Sequence, residues 1–308
     1  MIHTLIVTLL QIFILIGIGL SLKLIKTYPL NTVISNLIFY ITFPSIVLVN
    51  ISRIGSEQIL NMLSITFAAG ATTVACLIFS FIYVTINKLD NRTKGSVVLT
   101  STFHNSVNLP FPLILSFYGG LSAAIVYASI ISVMNIILAP LIVAYFMNVE
   151  RINIKLNVIK NLLFFPPFLA LMLALIFNII DVKVPPFPLE IIGNLTIYLG
   201  LILLGLSMPL TLSLKPYSKE ILFTGLMCFL VSPIIGCVVI NLGSLQGVTK
   251  GTVLIEALMP PAVMNIAYIS KYNLNLDEGT RATSILFIAS IIVVIATHLL
   301  FLDGFLTI

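Results

Sequence analysis

Charge is what this chain has least of. Only 8% of its 308 residues are Asp, Glu, Lys or Arg, against 59% hydrophobic residues. A soluble domain carries about a quarter charged residues, so a water-soluble fold is excluded and an all-α polytopic membrane protein is expected. Cysteine is nearly as scarce. Cys76, Cys228 and Cys237 lie in apolar runs at spacings that fit neither a disulfide framework nor a metal site, and they are expected to be small packing residues. The chain has no G-x-x-x-x-G-K-[ST] loop, which leaves ATP-driven transport without support. No apolar run carries paired aspartates, which weighs against an intramembrane aspartyl protease or a metal-dependent prenyl transferase; no enzyme and no cofactor are expected. The fifth run contains no acid at all, unlike an electrogenic sodium–proton antiporter with buried aspartates there. The first twenty residues lack a basic leader and an A-x-A cleavage site, and are expected to be a first span rather than a removable signal.

What is there is hydrophobic length. Runs of about twenty apolar residues, enough to cross a bilayer, fall at roughly 3–22, 31–51, 60–86, 95–118, 121–146, 157–179, 189–213, 219–241, 248–270 and 281–302. Ten spans follow, with short connections. The loops after the odd-numbered spans hold Lys23, Lys26, Lys88, Arg92, Lys94, Arg151, Lys155, Lys160, Lys215, Lys219, Lys271 and Arg281, and the other side holds Arg53, Lys183 and Lys250. Twelve basic residues against three put the first set in the cytoplasm of a cell or inner membrane and both termini outside. The net charge of +5 therefore reflects orientation in a lipid bilayer and is no sign of nucleic-acid binding.

Two spans are interrupted. Residues 248–275, VTKGTVLIEALMPPAVMNIAYISKYNLN, carry Glu256, then Pro260-Pro261, then Asn265. Prolines remove donors and stop a regular helix, and broken backbone at membrane depth survives only where protein buries it or a cavity adjoins it. The fourth span breaks at HNSVNLPFP, with His104, Asn105, Asn108, Pro110 and Pro112. Ahead of the breaks stand KGSVVLT at 94–100 and KGTVLIE at 250–256. A weaker echo pairs Asn36–Tyr40 with Asn194–Tyr198, each followed by a late proline, Pro44 and Pro209. Five spans per half invert the second half relative to the first. The expected fold is two inverted five-helix repeats, 1–150 and 151–308, whose broken helices 4 and 9 cross at the midplane. Paired interruptions of this kind point to a transporter's binding site.

Glu256 is the one acid inside a span, roughly 12 Å deep at 1.5 Å per residue. A carboxyl there is a functional candidate by default: a proton carrier, or an oxygen ligand for a hard cation such as sodium. The plain alternative is a protonated glutamate hydrogen-bonded between helices. Asn105, Asn108 and Asn265 offer donors and acceptors either to a polar solute or to the freed backbone of the breaks. Pro110, Pro112, Pro260 and Pro261 shape the site, and the half-helix ends they expose carry partial charge. His104 can shuttle protons or simply pack. Ser132 and Asn135 on span 5 are lesser candidates for coupling a cation. Pro140, Pro166, Pro167 and Pro233 are expected to be simple kinks.

EALMPPAVMNIAYISKYNLNL at 256–276 resembles the ninth-span signature of the auxin efflux carrier family in its bacterial branch: a Met-Pro pair, small residues, then an aromatic-containing helix leading to a Tyr-containing turn. NSVNLPFPL at 105–113 is similar to the family's fourth-span motif, Asn-Thr-x-x-x-Gly-x-Pro-Leu, matching at Asn105, Pro112 and Leu113 with Pro110 in place of the glycine. The resemblance implies a scaffold domain beside a mobile transport domain, an architecture shared with bile-acid/sodium symporters, in which a glutamate near the ninth-span crossover helps bind sodium. It also implies secondary transport of a small organic anion, a carboxylate such as malate or malonate, and a homodimer. The short loop around 147–156 weighs against auxin itself. The competing expectation is a membrane-embedded ligand sensor or regulatory subunit using the same site without transport.

Overall fold

The computed structural model describes residues 2–24, 30–54, 56–147, 160, 162–208 and 218–302, with side chains except at 2–5, 56–61 and 298–302. Lys26, Arg151, Lys155, Pro209 and Lys215 lie outside the described residues. Helices are the regular elements present: α1 Ile2–Leu24, α2 Leu30–Ile51, α3 Ser56–Ile86, α4 Asn91–Thr102, α5 Pro110–Tyr118, α6 Ser122–Met147, α7 Pro166–Ile179, α8 Leu189–Ser207, α9 Lys219–Leu242, α10 Gly247–Ala257, α11 Val263–Lys271 and α12 Leu276–Leu302. Among the described residues seven helices are continuous, long and apolar enough to cross a membrane; α7 is apolar but shorter.

The solvent these helices face is lipid. In α1 only 22% of the most apolar window is buried, yet its mean hydropathy is 2.2. Phe13 and Ile14 on α1, Leu63 and Phe67 on α3 and Leu222 on α9 are all more than half exposed. A helix that is apolar on its exposed face as well as its packed face belongs in a bilayer. The chain is a polytopic membrane protein.

Prolines inside the helices are absorbed in two ways. Pro44 and Pro233 each follow a π-helical turn, Ile38–Thr42 in α2 and Met227–Val231 in α9. A proline ring clashes with the carbonyl four residues back, and the wider turn opens the spiral where that carbonyl sits. Pro166 and Pro167 behave differently from the expected kinks. Phe165 is extended (φ −79°, ψ 108°) and the two prolines start α7, where missing N–H groups cost nothing.

The helices pack as two groups. Helices α1, α2, α7 and α8 lie mainly against one another, and α3, α4, α6, α9, α10, α11 and α12 form the second group; α5 touches both. In the first group α1 and α8 cross at Gly19 and Gly205. A Cβ on Gly19 would stand 2.2 Å from the Ile202 carbonyl, and one on Gly205 would stand 2.2 Å from that of Ile16, so only glycine allows the approach. The groups meet through few polar contacts. Thr8 of α1 donates to Ser116 of α5 at 2.9 Å, Phe43 of α2 lies 6.2 Å from Phe111 of α5, and the Asn108 amide fills the notch left by Gly200 on α8.

One end of the molecule is tied by a polar network. Asp90 caps α4, accepting from the amides of Arg92 and Thr93. Ser96 donates to the Asn275 carbonyl, Asn275 Nδ2 donates to Thr93 Oγ1, and Ser218 donates to Glu278. The Thr93 hydroxyl first, then the amides, hold the Asp90 carboxyl below its ordinary range. A depressed carboxyl contributes stability above its unfolded pKa and loses it as pH falls through the folded value. Asp90→Ala should therefore cost about 1 kcal/mol at neutral pH. In thermal melts of the detergent-solubilised protein, the gap to wild type should close below about pH 4. A gap that persists in acid would show that the cap acts through something other than its charge.

Candidate functional site

The two broken segments run antiparallel and bond to each other. Phe103 leaves α4 extended (φ −104°, ψ 107°), and His104 pairs with Pro261 as a single β-bridge. The Asn105 amide donates to the Pro260 carbonyl at 2.7 Å, and the Ala262 amide to the Phe103 carbonyl at 2.9 Å. Backbone freed by the prolines of one break is thus satisfied by the other, as hydrocarbon demands. That is why the two breaks belong together: neither could be buried alone.

Four helix ends face this junction. Helices α4 and α10 arrive with their carbonyl ends, while α5 and α11 depart with their amide ends, each of nine residues. Neither Leu109 before α5 nor Ala262 before α11 supplies a side-chain cap. The α5 start is served one turn earlier: Asn105 Oδ1 accepts from the amides of Asn108 (3.0 Å) and Val107 (3.4 Å). Uncapped amide ends carry partial positive charge and suit anions.

Three cavities adjoin the junction. A cleft between the helix groups is bordered by Phe39 of α2, Ser132 and Asn135 of α6, His104 and Asn108 of the junction and the first turn of α11; it spans about 390 Å³ counting its open mouth. A second cleft, about 250 Å³, lies between the end of α8 (Ser207, Met208), Pro260 and Pro261, and Thr283 and Ser284 of α12. Asn105 borders both clefts. Its Nδ2 has no hydrogen-bond partner, so one end of this amide holds the backbone and the other is available. The third cavity, about 220 Å³ on the same measure, lies within the second group and is bordered by Thr72, Thr73, Thr102, His104, Tyr127 and Glu256.

Glu256 is 1% exposed, and neither carboxyl oxygen has a hydrogen-bond partner. Helices α3 and α6 bring hydroxyls around it: Thr72 Oγ1 and Tyr127 Oη lie 3.0 Å apart, and Thr102 Oγ1 is itself unpartnered. His104 borders both this cavity and the larger cleft. None of the three cavities is lined by a described Lys or Arg.

Not every residue singled out from sequence borders a cavity. Asn265 is fully buried beneath the junction; its Nδ2 donates to the Phe103 carbonyl at 2.8 Å, and its Oδ1 accepts from Asn135 at 3.3 Å. Pro110 and Pro112 are buried in the first turn of α5, away from the clefts. The residues missed were Thr72, Thr73, Thr102 and Tyr127. Their signal was faint, because a threonine in an apolar helix ordinarily bonds its own backbone, as Thr72 and Thr73 also do here.

Residues 4–301 match the family described as membrane transport protein, the auxin efflux carrier family that the two break motifs resemble. The chain belongs to this family. Transport, not enzyme catalysis, is the family's activity. The transporter is similar to an uncharacterized transporter of Methanocaldococcus jannaschii, 25% identical over 256 residues that cover 79% of this chain and 81% of that one. It is also similar to an uncharacterized transporter of Methanothermobacter thermautotrophicus, 23% identical over 307 residues, or 95% and 96% of the two chains.

Proposed function

We propose that this transporter is a secondary carrier that moves a small organic anion, a carboxylate, across the cell membrane by alternating access at the junction of the broken helices. The observation that carries the reading is the uncapped amide end of α11 bordering an open cleft together with the unpartnered Nδ2 of Asn105. Both are positive poles in a site without a full cation, a combination that binds an anion without holding it too tightly to release. Asn105, Asn108, Pro260 and Pro261 bind the substrate. Asn265, Pro110 and Pro112 contribute by fixing the junction. Glu256 and His104, with Ser132 and Asn135 beside them, couple the movement to an ion or to membrane potential.

The chain would cross the membrane ten times, α4 with α5 and α10 with α11 each counting as one broken span, in inverted repeats of residues 1–150 and 151–308. Both termini would face outward, with the twelve-residue basic set in the cytoplasm. One hydrogen-bond cluster favours this: Asp90, Thr93, Ser96, Ser218, Asn275 and Glu278 bring the loops after spans 3, 7 and 9 to one end. The first helix group would serve as scaffold and the second as the moving body.

The deciding experiment is uptake of labelled mono- and dicarboxylates into proteoliposomes under imposed proton, sodium and potential gradients. Gradient-driven accumulation of at least one acid is expected. If ligands bind and none moves, the site belongs to a sensor or regulatory subunit instead.

A further inference from the structure

We infer that the junction loads one monovalent organic anion together with one proton, and that the ring of His104 accepts that proton. The inference rests on the larger cleft being the substrate site. His104 is the one titratable group among the described residues bordering that cleft. It also borders the cavity that holds Glu256, so the two ionisable side chains line one small cavity within the second helix group.

Net charge buried away from water is expensive, whereas a neutral set of groups is tolerated. The other ionisable groups near the pair are Tyr127 on α6, Cys76 on α3 and Cys228 on α9, all uncharged in their ordinary ranges at neutral pH. On α5 the nearest is Tyr118, packed against Gly251 one and a half turns from Glu256. On α12, Ser290 donates to the Leu258 carbonyl, and the buried Arg281 and Glu278 of that helix lie more than two turns from Ser290. The charge of the site is therefore set by Glu256 and His104 alone. Empty, it is neutral as a carboxylic acid beside a neutral imidazole, the form with no charge buried at all. An entering monoanion adds one negative charge, and a second proton, taken from the aqueous phase, restores neutrality as a carboxylic acid beside an imidazolium. The partial charges of the helix ends are the same in both states and do not alter the difference.

Geometry says which atom takes it. His104 Nε2 lies 3.3 Å from the Ser101 carbonyl, which can only accept, so Nε2 bears hydrogen in both states and Nδ1 receives the added proton. A dianion would leave the loaded site negative. Dicarboxylates should accordingly bind as their hydrogen forms, less well than monoanions of similar size.

The test is binding of formate, acetate, benzoate, malonate and succinate to the purified full-length protein between pH 6 and 8. Sodium is replaced by choline in one arm. Coupled uptake of one proton makes log Kd for a fully ionised monoanion rise by one per pH unit, about tenfold weaker binding at each step. Sodium should have no effect. His104→Gln keeps a donor for the Ser101 carbonyl and should flatten the pH dependence while weakening binding; Glu256→Gln should keep the unit slope. A pH-independent Kd in the wild type overturns the inference even if the variants do not fold. So does a sodium-dependent Kd that is flat in pH, or a slope lost in Glu256→Gln but kept in His104→Gln. Failure of every probe to bind tells against the substrate site itself, and the inference falls with it.

Discussion

Cysteines placed at Thr8 and Ser116, once oxidised, are expected to bring transport in proteoliposomes down to background, and reductant should restore it. The two hydroxyls lie 2.9 Å apart, close enough for sulfurs to reach the roughly 2.05 Å of a disulfide with small side-chain rotation. The bond would join α1 of the first helix group to α5, the half-helix after the junction that touches both groups, at a contact that the proposed alternating access would break. A matched control exists inside one group. Thr42 of α2 and Thr196 of α8 have hydroxyls at the same 2.9 Å, and a crosslink there joins helices that travel together, so flux should survive. Full flux through the Thr8–Ser116 crosslink would show that the two helix groups do not separate in the cycle. The native Cys76, Cys228 and Cys237 are unpaired, two of them buried, and do not compete for these partners.

Gly19→Ala and Gly205→Ala are each expected to destabilise the protein by about 3 kcal/mol or more, the upper end for overpacking. The added methyl meets backbone, which cannot swing aside: Ile202 O at 2.2 Å and Leu206 N at 2.9 Å from Gly19, Ile16 O at 2.2 Å from Gly205. Because both glycines meet at one crossing, their effects should not add; once α1 and α8 are forced apart, the second methyl costs less. Gly17→Ala, two residues along the same helix, meets nothing within 4 Å and should stay within about 0.5 kcal/mol of wild type. Melting of wild type, the three single variants and the Gly19→Ala/Gly205→Ala double variant in one detergent separates the outcomes. Equal melting of Gly17→Ala and Gly19→Ala would mean that the crossing is looser than the close approach implies.

The family and the junction of the two breaks were open to sequence reading because the bilayer imposes rules that act along the chain. Uncharged length forces spans, and a broken span must be buried or border a cavity. Two prolines beside asparagines therefore marked the junction at 104–112 and 256–265 directly. Rules that act along the chain say nothing about which side a residue faces across the junction. Asn105 and Asn265 look alike in sequence, each within five residues of a proline of its break. Asn105 borders both clefts, while Asn265 is consumed by the Phe103 carbonyl and Asn135.

Pro44 and Pro166 were equally alike as prolines in apolar runs. One is absorbed by a π-turn and the other begins a helix, because the packing of neighbours decides whether a helix continues past a missing donor. Glu256 could be singled out as the lone intramembrane acid from sequence alone, since its insertion cost does not depend on partners. That it shares a cavity with His104, Thr72 and Tyr127 was decided only when α3, α6 and the two breaks packed together. Sequence by itself determined the membrane class, the family and the places along the chain where the two helices break, for these follow from composition and local backbone chemistry. Tertiary structure alone decided which amides are spent on the fold and which remain for a ligand, because a hydrogen bond between residues 162 apart leaves no trace in the order of either segment.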